Sequence, residues 1–223
     1  MGVSFPAGTI VRTGAERATL VRRTYSLVFV SVLITVSGVM FTLSQPSLLQ
    51  AVAAHPWISA IATFAPLLLA MRARTSFPFN IGLVFMFALA EGVFISPLIY
   101  VYGQQQPGLI TQAAMLTIGA FGVLTAYAFT SRRDFSALGQ FFTVGLFVVI
   151  GGMLLNLFFK SPAADLALAG ITVLVFSGLL VFDTWRIRNV YGPDDYVMAT
   201  VQIYLDLLNL FLAILRILGG RRN

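Results

Sequence analysis

The chain has 223 residues, of which 58% are hydrophobic and only 10% charged, with 20 Phe and 19 Gly. A soluble domain of this length cannot hide that much apolar surface, so the composition excludes a soluble globular protein and reads as an all-α polytopic membrane protein. Cysteine is absent, which removes disulfides, thiolate metal sites and Cys nucleophiles. The net charge of +6 is carried almost entirely by Arg in short loops, a distribution that reports membrane orientation and not nucleic-acid binding.

Residues 1–24 form a polar, Arg-bearing tail without the apolar centre and cleavage site of a signal peptide, so an uncleaved first span is expected. Seven apolar segments long enough to span follow, at 25–44, 52–71, 79–101, 109–130, 138–159, 165–186 and 197–218. They make one transmembrane domain, 25–218, with a short tail at 219–223. The breaks carry turn chemistry: Gln45-Pro46, Arg72 to Pro78, Gln104 to Gly108, Arg132-Arg133-Asp134, Ser161-Pro162 and Tyr191 to Asp195. In the fifth span Gly139, Gly145, Gly151 and Gly152 allow close helix contact, and packing alone accounts for them.

Basic residues set the orientation. Arg12, Arg17, Arg22 and Arg23 precede the first span; Arg72 and Arg74 follow the second, Arg132 and Arg133 the fourth, Arg186 and Arg188 the sixth. The alternate loops hold only Lys160. This predicts a cytoplasmic amino terminus. Seven full spans then put the carboxyl terminus outside, where Arg216, Arg221 and Arg222 fit badly unless the seventh segment re-enters.

Only 8 residues are acidic, and Glu91, Asp183 and Asp206 lie in or beside apolar runs. A carboxylate at the bilayer centre costs roughly 2.5 kcal/mol or more, so such groups face a protein interior or a water path, paired or protonated. Asp206 sits about nine residues into the seventh span, roughly 13 Å along it. Asp183 is three residues before Arg186, and the two spans form a hairpin around Gly192-Pro193. If the two carboxyl groups meet in low dielectric they cannot both ionise cheaply, and the pair shares a proton. The plainer readings are a static hydrogen bond, or Asp183 snorkelling to Arg186 at the interface.

Gln202, Asp206, Asn209 and Arg216 fall within one stripe about 80° wide on a helix. A polar stripe of that length cannot face lipid, so the seventh helix is expected at the centre of the bundle, ringed by the other six. The stripe serves an ion path or polar glue between helices. Asn80 and Glu91 share a face of the third span, and a lone mid-membrane carboxyl such as Glu91 is expected to rest protonated, or neutral against a carbonyl.

Enzymatic and pigment readings fail on residues. A retinal protein needs a Lys in its last span, and Lys160 is in a loop. A rhomboid-type protease needs a buried Ser–His pair, and the one histidine, His55, stands beside Pro56 near a loop. Intramembrane aspartyl proteases also place Asp in adjacent spans, but their Gly-x-Gly-Asp and Pro-Ala-Leu motifs are missing around Val181-Phe182-Asp183-Thr184 and Tyr204-Leu205-Asp206-Leu207. No enzyme and no cofactor are expected.

Phe182-Asp183-Thr184, Gly192, Asp194-Asp195-Tyr196, Tyr204-Leu205-Asp206-Leu207, Asn209-Leu210-Phe211 and Leu215-Arg216-Ile217-Leu218-Gly219 together resemble the Bax inhibitor-1 family. The segment from Gly119 through Arg132-Arg133-Asp134-Phe135-Ser136 to Asn156-Leu157-Phe158 is similar to bacterial members, as is Ser96-Pro97 with Tyr100 and Tyr102. The first two spans match mainly in hydropathy. The resemblance implies a seven-helix fold around a central last helix and a pH-sensitive calcium leak. It also implies Asp183 and Asp206 as the proton sensor and transient calcium ligands, with an Arg after the second span as latch: Arg72, or equally Arg74. Glu91, Gln202 and Asn209 are candidate ion-path residues; the second span lacks an acid that some bacterial relatives carry, so either Glu91 replaces it or the chain conducts poorly. A monomer in a bacterial inner membrane is expected, with the bilayer, calcium and protons as its partners. Two rival functions stay open: a proton-coupled cation transporter, and a non-transporting partner of membrane proteins.

Overall fold

The computed structural model describes residues 14–72 and 76–220, and is helical throughout apart from short connections. In chain order the helices are α1 (Gly14–Leu43), α2 (Pro46–Ala54), α3 (Pro56–Arg72), α4 (Phe79–Gln105), α5 (Leu109–Thr130), α6 (Ser136–Phe159), α7 (Pro162–Asn189) and α8 (Tyr196–Gly220). Six of them, α1 and α4 to α8, are long and apolar enough to cross a membrane. Arg12, Arg74, Arg221 and Arg222 lie outside the described residues.

The straight second span expected at 52–71 is instead broken: α2 and α3 meet at a 99° bend. Pro56 opens α3, and a proline there would clash with the carbonyl four residues back if the helix continued. It also disfavours helical geometry at the preceding residue, and His55 sits at φ −126°, ψ 59°. The 17 residues of α3 reach about 26 Å, slightly less than a hydrocarbon core of about 30 Å. Among the described residues there are therefore six helices long and apolar enough to cross a membrane, or seven if the bent pair counts as one.

Two glycines bring α1 and α4 into backbone contact. A Cβ on Gly92 would stand 2.2 Å from the Thr35 carbonyl oxygen, and one on Gly38 2.6 Å from that of Leu89. Thr35 Oγ1 exploits the approach, lying 3.0 Å from the Ala88 carbonyl and 2.7 Å from the Tyr204 hydroxyl, so α1, α4 and α8 are tied at one point. Gly92→Ala is expected to destabilise the protein by about 3 kcal/mol, because backbone cannot step aside as a side chain can. Gly122→Ala in α5, where a Cβ would meet nothing within 4 Å, should be neutral or slightly stabilising. Denaturant titration of the two purified variants distinguishes them; equal stability would contradict this account of the α1–α4 contact.

The last helix, α8, packs against α1, α4, α5 and α7, and its first turns share a buried apolar cluster with Leu67 and Ala70 of α3. The sixth helix does not complete a ring around it. It stands behind α7, where Gly139 lies under the Phe182 ring, Gly152 against Leu168, and Gly178 of α7 under Phe142. It meets α8 where Arg216 Nη1 lies 3.9 Å from Met153 Sδ. The opposite face of α6 is exposed and apolar, with Phe141, Phe147 and Phe158 on it.

The start of α1 and the ends of α3, α5 and α7 form one basic end of the bundle, bearing Arg17, Arg22, Arg23, Arg72, Arg132, Arg133, Arg186 and Arg188. Arg188 fastens α7 to α5 there. Its Nη1 donates to the carbonyls of Phe129 at 2.7 Å and Ser131 at 2.9 Å, which the helix end leaves without intrahelical donors.

Candidate functional site

The hairpin of α7 and α8 sets the site. Its turn is closed by Asp195, whose Oδ2 accepts from the Gly192 N–H at 2.7 Å and whose own N–H reaches the Gly192 carbonyl at 3.1 Å. From that turn Asp183 lies two turns back from the end of α7, and Asp206 about three turns into α8. Both are buried, at 6% and 4% exposure, and their carboxyl groups come within hydrogen-bonding reach of each other. Two carboxylates offer only acceptors, so the contact needs a proton or a cation between them. Asp206 Oδ2 is buried without a hydrogen-bond partner among the described residues. An unpaired carboxylate oxygen away from water is costly, which makes this atom the point where a proton or cation is most favoured.

Among the described residues the cation that touches the pair is Arg186. Its Nη1 donates to Asp183 Oδ1 at 3.2 Å across one turn of α7. The guanidinium lies over the Tyr191 ring at 4.5 Å and the Phe182 ring at 5.4 Å, while 28% of the side chain remains exposed toward the basic end. The Tyr191 hydroxyl donates to Gln202 Oε1. Burial holds that hydroxyl well above the ordinary tyrosine range, so it stays a donor. Arg186, Tyr191 and Gln202 thus form a cap between the aspartates and the basic end. On the α1 side the Tyr25 hydroxyl is 3.1 Å from Thr184 Oγ1, and Tyr25 packs against Phe121 and Phe129 of α5 at ring distances of 6.0 Å.

The other candidates are placed as follows. Gln202 joins the site through Tyr191. Asn209, one turn beyond Asp206, gives its Nδ2 to the Leu205 carbonyl of its own helix at 2.8 Å. Glu91 is buried in α4 beside Tyr204, which projects from the face of α8 opposite Asp206, so it stands apart from the aspartates. Asn80 is buried near the start of α4, where its Oδ1 accepts from the Ile81 N–H at 2.8 Å. Arg72 is exposed at the end of α3 and makes no ion pair with either aspartate. Among the described residues no group of three or more His, Asp or Glu side chains gathers, so the pair offers two carboxyl groups and not a closed metal cage. A separate cavity of about 280 Å³ lies between α1, α4, α5 and α8, lined mainly by aliphatic side chains with Thr35, Thr117 and Tyr204 among them, and no carboxylate lines it.

Tyr191 and Tyr25 were not apparent from the sequence as parts of the site. Tyr191 sat in a turn, and Tyr25 carries no spacing signal, because its partner Thr184 is 159 residues away.

The family model described as "Inhibitor of apoptosis-promoting Bax1" matches residues 17–223. The chain belongs to the Bax inhibitor family. Bax inhibitor 1 of Schizosaccharomyces pombe is 34% identical over 212 residues, covering 93% of this chain and 78% of the relative. Protein lifeguard 4 of Mus musculus is 32% identical over 206 residues, covering 91% and 85%. A protein of Helicobacter pylori is 31% identical over 207 residues, covering 92% and 88%. The Bax inhibitor match takes in the first two spans, where the resemblance lay mainly in hydropathy. With six long apolar helices, the chain is a multi-pass membrane protein of this family.

Proposed function

We propose that this Bax inhibitor family member is a pH-sensitive, calcium-permeable leak in a bacterial inner membrane, with seven crossings, the basic end in the cytoplasm, α8 as the inner helix, and Asp183 and Asp206 as its proton sensor. The observation that carries the reading is the buried carboxyl pair, with Asp206 Oδ2 unpartnered among the described residues and Asp183 held by the Arg186 ion pair. At low pH a shared proton holds the two carboxyl groups together. As pH rises the proton leaves, two carboxylates repel, and the pair separates or takes up a cation. Calcium requires oxygen ligands, six to eight of them when fully bound, so two carboxylates with water and Gln202 suit brief contact during passage and not storage.

Reconstitution of the pure protein into liposomes, followed with calcium and pH dyes together, tests this. The expected result is downhill calcium flux without stoichiometric proton exchange. A fixed proton-to-cation ratio would make it a coupled transporter using the same carboxyls. No flux at any pH would make it a non-transporting partner of membrane proteins.

We take Arg186, and not Arg72, as the cation that acts on the pair. With Arg186 already on Asp183, Arg72→Ala should leave the pH profile of flux unchanged, whereas Asp183→Asn should alter it. If Arg72→Ala reproduced the Asp183→Asn profile, and the double variant added nothing, Arg72 would be the gating cation in a second arrangement of the bundle.

A further inference from the structure

Because glycines draw α6 onto α7, α6 and α5 do not pack closely on one another, and a groove of about 440 Å³ opens between them at the basic end. Its floor is α7, with Leu174, Ser177 and Val181; Tyr127 of α5 and Phe142 of α6 form its walls. Its mouth is Arg133, in the loop at 131–135. The depth of the groove is apolar and continuous with the lipid-facing surface, since Leu174 is 69% and neighbouring Phe141 70% exposed. The mouth is cationic. Arg132 and Arg133 are exposed and make no ion pair among the described residues, and Arg188 adds a third positive charge beside them. Against these stands one acid, Asp134, whose Oδ1 accepts from the Ser136 N–H at 2.8 Å at the start of α6.

We propose that this groove binds an anionic phospholipid from the leaflet at the basic end. Its phosphate would meet Arg133 and Arg132, and one acyl chain would lie along Leu174 and Phe142. Charge complementarity selects the headgroup: three arginines against one aspartate favour a net negative lipid over a zwitterionic one. Exposed arginines hold a free phosphate weakly, so the apolar length of the groove must supply the rest of the affinity. The two parts together fit a lipid, whereas inorganic phosphate uses only one of them.

Native mass spectrometry of the full-length protein, released from nanodiscs of equal phosphatidylglycerol and phosphatidylcholine, tests the proposal. Wild type should retain phosphatidylglycerol several-fold over phosphatidylcholine. The double variant Arg132→Gln, Arg133→Gln should bring the two lipids to near parity, while Arg133→Lys keeps most of the preference. Ser177→Phe fills the groove without touching the charges, and should lower retention of phosphatidylglycerol with helical content by circular dichroism unchanged. Millimolar inorganic phosphate should displace nothing. The proposal is overturned by parity in wild type, by a double variant that keeps the full preference, or by displacement with phosphate. A folded Ser177→Phe protein that holds phosphatidylglycerol as wild type does would also overturn it. If Ser177→Phe loses helical content, the double variant and Arg133→Lys decide the matter.

Discussion

Asp206→Asn should leave calcium flux at its wild-type low-pH level at every pH from roughly 5 to 9, because the pair can no longer ionise as a pair. The amide has nearly the volume of the acid and supplies a permanent N–H toward Asp183. It therefore imitates the proton-sharing state, in which one carboxyl donates to the other. The sign does not depend on which state conducts. In wild type the proton is present at low pH and lost on raising pH; in the variant its replacement cannot leave. Glu91→Gln serves as the comparison, since Glu91 lies on the other side of α8 and should change the amplitude of flux at most, not its dependence on pH. Liposome flux measured over a pH series checks both variants. A full wild-type pH profile in Asp206→Asn would remove the pair as the sensor.

Arg186→Gln should move the midpoint of the flux response upward by roughly one pH unit. The argument is Coulombic. A guanidinium 3.2 Å from Asp183 Oδ1 favours the ionised pair, so without it protonation persists to higher pH. The shift is held to about a unit because the arginine side chain is 28% exposed and water screens the contact. For the same reason high salt should narrow the difference between wild type and variant. A midpoint that stays put, or moves down, would mean that Arg186 acts only in packing against Tyr191 and Phe182. Glutamine preserves much of the stem and cannot stack as a cation, so Arg186→Lys is the informative partner: it should restore the midpoint more than the structure of the cap, because lysine keeps the charge without the planar face.

The membrane class, the all-helical fold and most helix limits were legible in the chain by itself. Apolar runs of bilayer length and turn residues between them are local signals, and they hold whatever packs beside them. The intramembrane acids were equally legible, since their cost depends on depth and can be read from position along a span. The broken second span was half visible. Pro56 was plain, but a hydropathy window averages across it, and only the 99° bend shows that the helix restarted in a new direction. Tertiary structure decided the rest. The meeting of Asp183 with Asp206 depends on the register of a hairpin closed by Asp195, and a slip of one residue on α8 would turn the second carboxyl by about 100°. Arg186 reaches Asp183 across one turn of its own helix, a pairing that the three-residue spacing already offered, whereas the packing of the helix ends decided that Arg72 makes no ion pair with either aspartate. The place of α6 behind α7, and not beside α8, turned on small residues that fit one particular neighbour: Gly139 under Phe182 and Gly178 under Phe142. A stripe of glycines tells that some helix comes close, but the partner is chosen by shape complementarity between surfaces far apart in the chain, and that is a property of the packed bundle alone.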